Sequence, residues 1–202
     1  MMKFTLQDSK IESYLKESGI INFKNELLAG YADRLVDGIS NNVVQIKTIY
    51  EFVRDEISHS FDIGVDNVTF KASEVLKEKH GVCYAKSHLL AALLRSIGVP
   101  TGFCYQGLIF DDVDDRRIIL HGLVAVYIKE IDKWIRLDPR GNKPGVDAQF
   151  SLTEERLAFP VRKELGEFDT NIIYSEPAIA VQRCLYESKN RDELILKLPG
   201  KV

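Results

Sequence analysis

The chain has 202 residues, 45% of them hydrophobic and 28% charged, a balance that suits one good-sized folded core and excludes a disordered chain. Its 27 Lys and Arg against 30 Asp and Glu leave a net charge of -3, which gives no electrostatic footprint for nucleic acid or an anionic membrane. Cys83, Cys104 and Cys184 are odd in number and widely separated, so no disulfide framework is implied and a reducing compartment fits best.

The N-terminal stretch from Met1 to Lys10 lacks the apolar core and small-residue cleavage site of a secretory signal, and no run approaches the roughly 18 apolar residues of a membrane span. A cytoplasmic protein is expected. Residues 1 to about 40 read as polar-studded helical pieces punctuated by Gly19, Gly30 and Gly38. Ser40, Asn41 and Asn42 then offer N-caps for a firmer helix. In it Val43, Ile46, Tyr50, Val53 and Ile57 recur at three- and four-residue steps, a stripe that should face the next long helix. Residues 58–67 have loop composition, and residues 73–79 predict a short helix that ends near Gly81.

From Tyr84 to Ile97 the chain has no Gly, no Pro and no β-branched run, and apolar residues cover much of the helix circumference, so this helix belongs inside a core. Gly98 is suited to end it, and Pro100 cannot continue it. Cys83 stands at its start. There the unpaired backbone N–H groups and the positive end of the helix dipole favour a thiolate, and the same groups could stabilise an oxyanion on a bound carbonyl. Gly81 is expected to let the backbone come close to whatever sits above Cys83.

Residues 101–108 have strand character, and Asp111 to Arg117 form a charged connection. The aspartates there lack the central Gly and closing Glu of an EF-hand loop, which favours a solvated hairpin tip over a calcium site. Residues 118–128 and 134–137 predict a strand pair around residues 129–133. Residues 142–202 are Pro- and Gly-punctuated, with a helical patch near 177–187 and an apolar run at 194–198, and should wrap the core without forming a second domain.

His121 and Asp138 flank that strand pair. If they stood opposite one another, the turn would centre between Lys129 and Glu130, where the turn is predicted. A register displaced by two residues would keep both side chains on one face, whereas a displacement of one would separate them. Cys83, His121 and Asp138 therefore fit nucleophile, proton carrier and orienting carboxylate for acyl transfer through a thioester. The remaining candidates read as structural. Cys104 and Cys184 look like small hydrophobes, Trp134 like a core residue, and His59 like a surface loop residue, with lining the cleft or donating to the oxyanion as its other reading. His80, Cys83 and His88 lack the paired spacing of a zinc site, so neither metal nor cofactor is expected.

Gly81-Val82-Cys83, the helix end Leu93-Leu94-Arg95-Ser96-Ile97-Gly98-Val99-Pro100, His121 before a strand, and Trp134-Ile135-Arg136-Leu137-Asp138-Pro139 together resemble the transglutaminase-like superfamily, which has the papain-like cysteine-protease fold, in its compact microbial form. The resemblance covers roughly residues 43–140. It implies an α+β fold with a central cysteine-bearing helix packed on an antiparallel sheet, a Cys-His-Asp triad at Cys83, His121 and Asp138, and hydrolysis or transamidation of amide carbonyls. A peptide, protein or amide would be the partner. One departure is His121-Gly122-Leu123, where the family often has a small residue and then Trp; this bears on the substrate-channel wall. Two alternatives stand beside the hydrolase: a catalytically silent binding module of this fold, and an arylamine N-acetyltransferase-like enzyme, whose Arg-Gly-Gly before the cysteine is replaced here by His80-Gly81-Val82.

Overall fold

The computed structural model describes residues 3–110 and 117–202. The acidic connection at residues 111–116 lies outside the described residues. In chain order the described elements are β1 (Thr5–Leu6), α1 (Tyr31–Leu35), α2 (Asn42–Glu56), β2 (Ser58–His59), α3 (Ala72–Glu78), β3 (His80–Gly81), α4 (Cys83–Ser96), β4 (Thr101–Ile109), β5 (Ile118–Ile128), β6 (Lys133–Leu137), β7 (Phe168–Asp169), β8 (Ile172–Ile173), α5 (Ile179–Glu187) and α6 (Arg191–Lys197).

The helical half is built as its sequence directs. Asn41 caps α2, its Oδ1 accepting from the Val44 N–H at 3.1 Å, which satisfies one of the helix's orphan donors. Ile46, Ile49, Tyr50 and Val53 form the buried face, and α2 packs against α4. The interior helix α4 buries even Lys86, Ser87, His88 and Arg95, because α1, α2 and α3 touch it as well as the sheet. It ends at Gly98, whose φ of +80° is open to glycine at little cost. Arg95, 3% exposed, donates to the carbonyls of Lys16 (2.7 Å), Thr101 (2.8 Å and 3.0 Å) and Ser175 (2.5 Å), which fastens both ends of the chain to the end of α4.

Among the described residues a four-stranded antiparallel sheet runs β6-β5-β4-β7. Leu120, Val124, Val126, Ile135 and Leu137 join α4 in the main core, whereas Cys104, Leu123 and Ala125 belong to a smaller cluster with Tyr14, against which Trp134 packs edge-on at 5.1 Å. The last third of the chain supplies the edge strand β7, the strand β8 paired in parallel with β1, and two helices. Ala178, Val181, Leu185, Leu194 and Leu198 enter the main core from it.

Candidate active site

The approach to Cys83 is set by backbone pairing. The short strand β3 lies parallel to β2, with His59 paired to Gly81, so the segment read from sequence as plain loop begins as a sheet partner of the chain leading to the thiol. A Cβ on Gly81 would lie 3.0 Å from Ala85 Cβ and 3.2 Å from Thr69 Oγ1. This glycine therefore admits the helix's own Ala85 and the neighbouring Thr69. No side chain caps the start of α4, whose N-cap residue is Val82. The first-turn N–H groups have no side-chain acceptor competing for them.

Three residues into α4, the wholly buried Lys86 donates from Nζ to the carbonyls of Arg54 (3.1 Å), Ile57 and Arg140 (3.1 Å). One ammonium thus ties the end of α2, the start of the His59 segment and the chain just past Asp138 to the cysteine helix. Burial pulls its pKa down to about 7, against the opposing pull of Asp138. Sequence reading passed over Lys86, although an isolated lysine one turn into an otherwise apolar helix was a visible signal.

His121 and Asp138 meet as the hairpin allows. Val124 pairs with Leu137, so the position across from Asp138 is Leu123, and His121 is its diagonal neighbour on the same face. His121 Nε2 lies 2.7 Å from Asp138 Oδ2. Asp138 is fully buried, and its oxygens also accept the backbone N–H groups of Arg140 and Ala158, each at 3.1 Å. Burial would raise its pKa, but His121 and these donors hold it low. Burial would likewise lower the pKa of His121, yet the Asp138 carboxylate and then the nearby Cys83 raise it to about 10.

Tyr84 completes the arrangement. Its hydroxyl donates to the Leu120 carbonyl, and its ring lies where a Cβ on Gly122 would be, 2.5 Å from Tyr84 Cδ1. The residue after the cysteine thus grips the strand on both sides of His121. Gly122, the small residue after His121, is what permits this contact; the departure noted in the sequence falls on Leu123, which is buried in the smaller cluster.

Cys83 and His121 line a cleft of about 340 Å³ together with His59, Phe61, Arg140 and Phe159. His59 is half-buried in that cleft, a correction to its reading as a surface loop residue; its Nδ1 is buried and has no hydrogen-bond partner among the described residues. Burial and the nearby Arg140 bring its pKa down to about 3, so it stays neutral. Cys104 and Cys184 are buried and their thiols are pushed up to about 12 by burial, whereas Cys83 is partly exposed. His80 Nδ1 is 3.0 Å from Ser60 Oγ, and His88 Nδ1 is 2.8 Å from the Phe70 carbonyl. Among the described residues, no group of three or more His, Cys, Asp or Glu side chains is placed to hold a metal ion.

Residues 29–139 match the transglutaminase-like superfamily over a stretch that holds Cys83, His121 and Asp138. The chain belongs to this superfamily. The match starts ahead of α1, earlier than the resemblance read from residue 43 onward. Among solved structures, the chain is similar to a candidate cysteine protease from Cytophaga hutchinsonii, with 22% identity and a TM-score of 0.54 over 66% of this chain and 43% of that one. It is also similar to a candidate protease from Parabacteroides distasonis (15% identity, TM-score 0.39, 75% of this chain and 30% of that one). A third similarity is to the periplasmic domain of TgpA from Pseudomonas aeruginosa (18% identity, TM-score 0.38, 54% of this chain and 40% of that one). The first of these shares the fold, and this chain spans 43% of its length. No curated protein matches the sequence. Among the described residues, no helix is long and apolar enough to cross a membrane.

Proposed function

We propose that this superfamily member is a cytoplasmic thiol-dependent acyl-transfer enzyme that hydrolyses an amide or peptide, with Cys83 as nucleophile, His121 as proton carrier and Asp138 as its orienting carboxylate. The observation that carries the reading is the 2.7 Å His121–Asp138 contact inside the cleft onto which Cys83 opens. Cys83 Sγ bonds to the carbonyl carbon, the C–N bond breaks, and His121 gives its proton to the departing nitrogen. Water, losing a proton to His121, then adds its oxygen to the acyl carbon, and the carbon–sulfur bond breaks to regenerate the thiol.

The oxyanion formed in each step would lie at the uncapped start of α4. His59, neutral and at the same cleft, supplies the second hydrogen-bond donor. Its buried Nδ1 has no acceptor, which favours the tautomer carrying the proton on Nε2. Hydrolysis is favoured over transamidation as the reading for a compact chain with no evident amine site among the described residues. Peptide-library turnover by wild type and by Cys83→Ala tests the assignment: loss of turnover in the variant is expected, and equal turnover by the two would remove the nucleophile.

A further inference from the structure

The cleft's own pairings indicate what kind of side chain it accepts. Its charged lining is already engaged: Arg140 clasps Asp62 through two bonds of 2.6 and 2.9 Å, Lys143 donates to the same carboxylate at 2.8 Å, and Arg162 binds Glu167 at 2.5 Å. Glu167 also accepts the Ile109 N–H at 3.1 Å. A substrate side chain with a charge or an amide would therefore compete with ion pairs already made. Beside them most of the uncovered lining is hydrocarbon.

Ile109 and Ile119, from the ends of β4 and β5, are half-buried in the cleft, as are Phe61 and Phe159, and the buried Leu198 also lines it. Ile119 stands two positions before His121 on its strand and is paired with Leu108. The apolar wall thus begins directly beside the proposed reacting groups. A volume of about 340 Å³ lies at the small end of ligand pockets, room for about one large residue and the bond beside it.

We infer that the amide attacked by Cys83 carries a large apolar side chain, of the size of Leu or Phe, on the acyl residue, and that glutamine is a poor acyl donor. The inference rests on the proposed thiol chemistry and narrows it: a pocket whose polar groups are already paired discriminates against a polar side chain by leaving its hydrogen bonds unmade.

The test uses peptidyl vinyl sulfones that differ only in the residue next to the electrophile: Leu, Phe, Gln and Lys. The Cys83 thiolate adds to the vinyl carbon and the resulting carbanion takes up a proton, leaving a stable thioether with no leaving group. Second-order labelling rates are read by intact mass, with Cys83→Ala as the control for site. Leu and Phe probes are expected to label at least about 10-fold faster than Gln and Lys. Equal rates, or a faster Gln probe, would overturn the inference. Iodoacetamide, which presents no side chain, separates the two levels: brisk alkylation of Cys83 with flat vinyl sulfone rates defeats the specificity alone, whereas a thiol inert to both reagents defeats the acyl-transfer reading beneath it.

Discussion

Burial by itself would strip the proton from His121, yet Asp138 and Cys83 keep the ring charged up to about pH 10. In the unfolded chain the proton leaves near 6.5, so over this window the folded state binds a proton that the unfolded state does not. The stabilisation is complete below 6.5 and is lost as pH rises toward 10. Lys86 runs the other way. Burial lowers it from 10.5 to about 7, so between those values the unfolded chain holds the extra proton and stability rises with pH. The two slopes, each at most about 1.4 kcal/mol per pH unit, oppose each other over nearly the same window. Urea midpoints of the wild type should therefore change little from about pH 7 to 8.5, below the range where the buried Cys104 and Cys184 add their own loss, while over it Lys86→Met should lose stability with rising pH and His121→Gln should gain it. A Lys86→Met profile as flat as that of the wild type would contradict the assignment. His59→Ala is expected to lower kcat by up to about 100-fold with little change in KM, since an oxyanion donor acts on the transition state; an effect confined to KM would make His59 a substrate contact instead.

At the scale of elements, the site depends on how α4 is seated against β5. Gly122→Ala would place a methyl group 2.5 Å from the ring of Tyr84, a buried side chain that has little room to yield. The helix start must then withdraw from the strand. Overpacking of this kind costs about 1–3 kcal/mol, and a displacement near 1 Å can reduce rate about 100-fold. Loss of kcat beyond what partial unfolding explains is expected, and full activity in Gly122→Ala would show that the contact does not position the site. Asn41→Ala, far from the cleft, should cost about 1 kcal/mol of stability through loss of the α2 cap and leave turnover of the folded fraction unchanged. Elements with a strong local signal were legible in the sequence: α2 from Asn41 and its apolar stripe, α4 from its unbroken run and Gly98, and the β5–β6 hairpin from its Val-, Ile- and Leu-rich runs on either side of a polar turn. The hairpin also made the His121–Asp138 pairing legible, because a two-residue change of register preserves the face. The ladders β1–β8, β2–β3 and β4–β7 were not legible, since each is two residues long and held by partners distant in sequence. His59 was misread for that reason.

Across the molecule, the main core draws side chains from Ile21 to Leu198, and Arg95 joins segments at both ends to one helix terminus. A single cooperative unfolding transition is expected, with fluorescence of Trp134 and far-ultraviolet circular dichroism coinciding; separate transitions would divide the chain into independent units. Family membership was legible because its motifs lie within the continuous stretch of residues 29–139. The closing of the cleft by residues 159–167 and 198 was not, because those contacts depend on where the chain returns and leave no periodic trace. The proposed function rests on a sulfur set against an imidazole and that imidazole against a carboxylate. The most direct measurement is the rate of Cys83 alkylation by iodoacetamide at pH 7 in wild type and in His121→Gln. Wild type is expected to react at least about 10-fold faster, because the imidazolium stabilises the thiolate that attacks; equal rates in the two folded proteins would contradict the Cys83–His121 pair.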